Sequence, residues 1–91
     1  MGEAQYRKAA EDVIRIVGKD NIISATHCAT RLRMIVKDKD MINVKELEKL
    51  SLVKGTFFNA GQFQIIFGTG IVNKVYEELE KMKMTKEKKT L

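Results

Sequence analysis

The sequence predicts an α+β domain, a four-stranded and mainly antiparallel sheet with three helices packed on one face, in the order αββαββα. Three observations carry that expectation. Stretches of helical hydrophobic period stand near both ends of the chain, two pairs of short apolar and β-branched runs are each joined by a two-residue link, and a capped amphipathic turn separates the pairs.

Taken in order, Tyr6, Ala9, Ala10, Val13, Ile14 and Val17 recur at helical spacing, and Gly18 follows as a stop. After a Lys19-Asp20-Asn21 turn, Ile22 to His27 and Thr30 to Val36 have strand length and composition, with Cys28 and Ala29 at the hairpin tip. Asn43 is placed to cap a short helix, with Glu46 three residues on and Val44, Leu47 and Leu50 on one face. Val53 to Asn59 and Gln62 to Phe67 form the second pair, turned at Ala60-Gly61. Gly68-Thr69-Gly70 then opens the last helix, where Val72, Val75, Tyr76, Leu79 and Met82 make an apolar stripe. Such stripes are core.

The composition bounds the function. A chain of 91 residues with 44% hydrophobic and 32% charged residues is one small globular domain, burying roughly 60–65% of its unfolded surface. Its single cysteine rules out an internal disulfide and a CxxC metal cage. No apolar run approaches the ~20 residues of a membrane span, and MGEAQYRKAAED has no apolar signal segment, so the chain reads as soluble. The net charge of +5 suggests a polyanion partner until it is located. Residues 81–91 hold five lysines and one glutamate, whereas residues 1–80 carry 12 positive and 11 negative charges. This divides the chain into a nearly neutral body, 1–80, and a basic tail, 81–91, read as a frayed helix end running into a flexible linker.

The densest chemistry is Thr26-His27-Cys28-Ala29-Thr30-Arg31-Leu32-Arg33. The strand period of two puts Arg31 and Arg33 on one face and Leu32, Met34 and Val36 on the other. Each guanidinium can donate in bidentate fashion to phosphate oxygens, positive charge favours the nucleophilic thiolate, and amides at a turn can cradle an anion. A nucleophile beside fixed oxyanion donors is what a phosphoryl acceptor requires. The plainer alternative, a cysteine packed as a small hydrophobe beside a solvated arginine face, stands equally open on spacing alone. A phosphatase loop of Cys, five residues and Arg would need arginine where Met34 stands. His27 adjoins Cys28, yet neighbours on a strand point to opposite faces, which favours a packing role over a Cys–His dyad.

His27-Cys28-Ala29-Thr30-Arg31-Leu32-Arg33, with Val53-Lys54-Gly55 and Gly61-Gln62-Phe63-Gln64-Ile65-Ile66-Phe67-Gly68-Thr69-Gly70, resembles the IIB domain of the glucose superfamily of sugar phosphotransferase systems, nearest its sucrose, trehalose and glycoside branch. The likeness runs from about Tyr6 to Leu79. It implies that Cys28 accepts a phosphoryl group from a phosphohistidine on a IIA protein or domain and passes it to a sugar bound in a membrane-embedded IIC domain. It implies a four-stranded antiparallel sheet under three helices, with Arg31 and Arg33 stabilising the phosphate. Thr30, the backbone at Ala29 and, less centrally, Gln64 would contact phosphate oxygens. A location at the cytoplasmic face of the bacterial membrane follows, with the basic tail as the linker to a IIC domain in the same chain. The donor is already activated, so neither a cofactor nor a metal is required.

Two other functions fit the sequence less well. Lys54-Gly55-Thr56-Phe57-Phe58 faintly resembles an RNA-recognition strand, but Phe57 and Phe58 alternate faces, Thr56 takes the place of a stacking aromatic, and the element order differs, so no nucleic-acid partner is expected. Gly68-Thr69-Gly70-Ile71-Val72-Asn73 lacks the third glycine and the βαβ context of a dinucleotide site, which leaves its glycines to the turn.

Overall fold

The computed structural model describes the backbone of residues 2–90 and the side chains of residues 4–82. Its elements are α1 (Gly2–Val17), β1 (Ile22–His27), β2 (Arg31–Val36), α2 (Val44–Glu48), β3 (Gly55–Asn59), β4 (Gln62–Ile66) and α3 (Val72–Thr90), the expected αββαββα order. Short 3₁₀ turns at Lys19–Asn21 and Lys39–Met41 complete it. The sheet order is β1-β2-β4-β3 and every neighbouring pair is antiparallel. β3 begins at Gly55, two residues inside the run read as strand, and α3 begins at Val72, after the glycines. The backbone of α3 stays helical through the basic stretch to Thr90, where fraying was expected; the flexibility and linker role assigned to 81–91 fall almost wholly on side chains outside the described residues.

Burial follows the periodicities, except that in α1 Ile16, outside the expected stripe, is buried and Ile14 is only partly so. Ala9, Ala10, Val13, Ile16 and Val17 of α1 and Val72, Val75 and Leu79 of α3 are buried with Leu32 and Met34 of β2 and Phe63 and Ile65 of β4. Leu47 anchors α2, and the Asn43 side chain accepts from the Glu46 amide at 3.2 Å, the cap that the spacing predicted. All three helices cover one face of the sheet, and the other face, carrying Arg31 and Arg33, is left without a helix. The second hairpin turns through Ala60 at φ 53° and Gly61 at φ 79°, a pair of left-handed residues that matches the twist of the flanking strands.

Two features were not legible in the residue pattern. A bulge between Ile22 and Ser24 shifts β1 against β2, so Ile22 faces Val36 while the extra residue, Ile23, is expelled to 57% exposure. Asn21, read as a turn residue, is buried. Its Nδ2 donates to the Val17 carbonyl at 3.1 Å and the Asp38 carbonyl at 2.9 Å, and its Oδ1 accepts from the Asp38 amide at 2.8 Å. It ties the end of α1 to the segment leaving β2. Replacing Asn21 with Ala strands these backbone groups, and we expect urea unfolding to show a loss of about 2–3 kcal/mol.

Candidate functional site

The open face of the sheet is set out in rows by the strand register. The Cys28 amide donates to the Arg31 carbonyl at 2.8 Å, which closes the first hairpin and sets Cys28 opposite Arg31. Arg31 in turn faces Ile66, and Ile66 faces Gly55. The next row on the same face is Thr26, Arg33, Gln64 and Phe57, and the third is Ser24, Ile35, Gln62 and Asn59. The two guanidiniums share one face, as alternation predicted, the register adds the thiol to it, and Cys28 is a free, exposed cysteine. This removes the alternative of a packed cysteine.

The hairpin tip offers donors as well as the thiol. The Thr30 carbonyl accepts from the Phe67 amide at 2.7 Å and so fixes the tip to the end of β4. Among the described residues, no hydrogen bond engages the amides of Ala29 or Thr30, which leaves two backbone donors beside Cys28.

His27 is turned to the helix side, where its ring lies 4.8 Å from that of Tyr76 in α3, tilted by 49°. Its Nδ1 sits 3.1 Å from the Cys28 carbonyl oxygen, and no hydrogen bond joins it to the thiol. Burial, reinforced by Glu80, raises the Tyr76 phenol above its ordinary range, so the ring that supports His27 is neutral. The packing role follows directly.

The two arginines are held by amides. Arg31 Nη1 donates to Gln64 Oε1 at 2.8 Å, Gln64 Nε2 donates to Gln62 Oε1 at 3.2 Å, and Arg33 Nη1 reaches the same Gln62 oxygen at 3.4 Å. Gln64 is only 6% exposed, and Arg33 Nε is buried without a partner. Among the described residues the ion pairs join side chains of α1, α2 and α3, and neither Arg31 nor Arg33 takes part in one. Both charges thus remain uncompensated on the face that carries the thiol. Gln62 is the residue that sequence reasoning passed over. Its signal was the Gln-x-Gln alternation on β4, which repeats the Arg-x-Arg alternation on β2.

A solved domain of the phosphotransferase system IIabc component from Clostridium difficile superposes with a TM-score of 0.86 at 62% sequence identity, covering 88% of this chain and 84% of that one. This chain belongs to the phosphotransferase system EIIB family. The family description "phosphotransferase system, EIIB" matches residues 11–43, the segment that carries Cys28, Arg31 and Arg33. Curated relatives include the sucrose-specific EIIBC components of Staphylococcus xylosus, 49% identical over 85% of this chain, and of Bacillus subtilis, 52% identical over 84%. The EIIB chain spans 16% and 17% of the length of these two relatives.

Family membership leaves the RNA-binding alternative without favour, and the register agrees, since Phe57 lies in the row of Gln64 and Phe58 in that of Phe63, on opposite faces. Gly68 to Gly70 follow a strand of an antiparallel sheet, not of a βαβ unit, and Gly70 adopts φ 81° in the turn before α3. A pocket of about 550 Å³ lies between α1 and the segment after α2, lined by Lys8, Asp12, Lys49 and Ser51 among others, and it includes none of the open-face residues. No described helix is long and apolar enough to cross a membrane, and no group of three or more His, Cys, Asp or Glu among the described residues could hold a metal ion.

Proposed function

We propose that this EIIB chain is a phosphocysteine carrier. Cys28 takes a phosphoryl group from a phosphohistidine on a IIA protein or domain and delivers it to a sugar in a membrane-embedded IIC domain of the same polypeptide. In the first step the Sγ–P bond forms as the P–N bond breaks, and the thiol proton ends on the imidazole. In the second the sugar oxygen takes the phosphorus, the electron pair of the Sγ–P bond returns to sulfur, and the hydroxyl proton restores the thiol. The observation that carries the reading is an exposed thiol in the row of Arg31, beside two guanidiniums that no carboxylate among the described residues neutralises. Arg31 and Arg33 stabilise the equatorial oxygens in flight, and the free amides of Ala29 and Thr30 hold the oxygens at the hairpin tip. Gln64 acts through Arg31. The open face suits transfer between proteins, because the thiol must meet a histidine on one partner and a hydroxyl in another.

The relatives named sucrose-specific make sucrose the first sugar to test, and their EIIBC names support a IIC domain in the same chain, reached through the basic stretch at 81–91. That arrangement sets the domain at the cytoplasmic face of the membrane, where lysines near anionic lipid are favoured. Incubation with a phosphorylated IIA partner should add one phosphoryl group, found by mass spectrometry on the Cys28 peptide and blocked by prior alkylation of the thiol. Label on a His27 fragment lacking Cys28, or label indifferent to alkylation, would overturn the reading.

A further inference from the structure

We propose that Gln62 is a positioning residue of this phosphoryl-transfer site, holding both arginines in place through one neutral oxygen; the inference rests on the phosphocarrier reading above. On β2 and β4, Arg31 stands opposite Ile66 and Arg33 opposite Gln64, yet each guanidinium bonds the residue two places back along β4. Both arginines therefore lean along the same diagonal, the reach that long side chains have across an antiparallel pair. The chain of bonds ends at Gln62, whose Oε1 accepts from Gln64 Nε2 and from Arg33 Nη1.

That oxygen has two consequences. By accepting from Nε2 it fixes the amide sense of the buried Gln64, so that the Gln64 oxygen, and not its NH₂, meets Arg31. A flipped Gln64 would set donor against donor. By accepting from Arg33 Nη1 it orients a guanidinium whose buried Nε has no hydrogen-bond partner among the described residues. A carboxylate could make the same bonds, but it would neutralise Arg33 and compete with phosphate for it. A glutamine orients the charge and leaves it available.

The test separates acceptance from neutrality. Gln62→Glu keeps an acceptor and should fold with an unchanged or raised Tm, while transfer from phosphorylated IIA to Cys28 slows about tenfold or more. Gln62→Leu removes the acceptor, lowers the Tm and slows transfer as well, and Gln62→Asn should recover part of the rate. A ³¹P resonance of the phosphocysteine that moves in Gln62→Glu would report altered contacts at the phosphate, which a merely structural role would leave in place. Wild-type rates and an unmoved resonance in Gln62→Glu, with Cys28→Ser unlabelled, would overturn the role of Gln62 and leave the carrier reading standing. Full labelling of Cys28→Ser would overturn both.

Discussion

Cys28→Ser should fold as the parent does and fail to take up phosphate. The side chain is exposed at a hairpin tip whose closing bond, from the residue 28 amide to the Arg31 carbonyl, belongs to the backbone, so the stability change should stay within about 0.5 kcal/mol. The chemistry is another matter. A serine hydroxyl is a far weaker nucleophile near neutral pH, and among the described residues His27, the neighbour that could assist it, packs on Tyr76 on the other side of the sheet. Transfer from a phosphorylated IIA partner should fall at least about a thousandfold. The measurement is label per chain against time beside a thermal melt of the same preparation. An unfolded variant would make the loss uninformative, and rapid labelling of a folded one would remove Cys28 from the mechanism.

What the sequence made legible was local. Helical spacing around Val13 and Val75, the Asn43 cap, and the alternation that sends Arg31 and Arg33 to one face and Leu32 and Met34 to the other all depend on residues within a few positions of each other. Cys28 stands out as the candidate nucleophile because the only cysteine lies next to that alternation. What stayed hidden depends on which strand lies beside which. Nothing near Gln62 announces that β4 lies between β2 and β3, and without that order the two glutamines have no arginines to hold. The expulsion of Ile23 has the same origin, because a bulge is a property of a strand pair and its residue composition is that of an ordinary strand. Asn21 was misleading for a different reason. Lys-Asp-Asn has turn composition, and only the return of the chain at Asp38 makes its side chain a buried crosslink.

Arg31→Lys should slow transfer more than Arg33→Lys, although both keep the charge. Arg31 stands in the row of Cys28 and Arg33 one row further along the sheet, so the guanidinium nearer the reacting sulfur is the one whose planar fork matters more. Losing one donor to a developing oxyanion costs about 2.7–4 kcal/mol where nothing replaces it, and the retained ammonium should reduce that to a ten- to hundredfold loss for Arg31→Lys by order of magnitude. The stabilities should diverge in the same direction. Arg31 makes a 2.8 Å bond to the buried Gln64, so its loss strands an acceptor and costs about 1 kcal/mol, whereas Arg33 holds Gln62 at 3.4 Å and its replacement should cost less. Single-turnover transfer rates and urea midpoints on the two variants give both orderings. Equal rates in Arg31→Lys, Arg33→Lys and the parent would mean that the arginines are a solvated face. A reversed order would mean that phosphate sits one row further from the hairpin tip, over Gln64, and that the amides of Ala29 and Thr30 do not contact it.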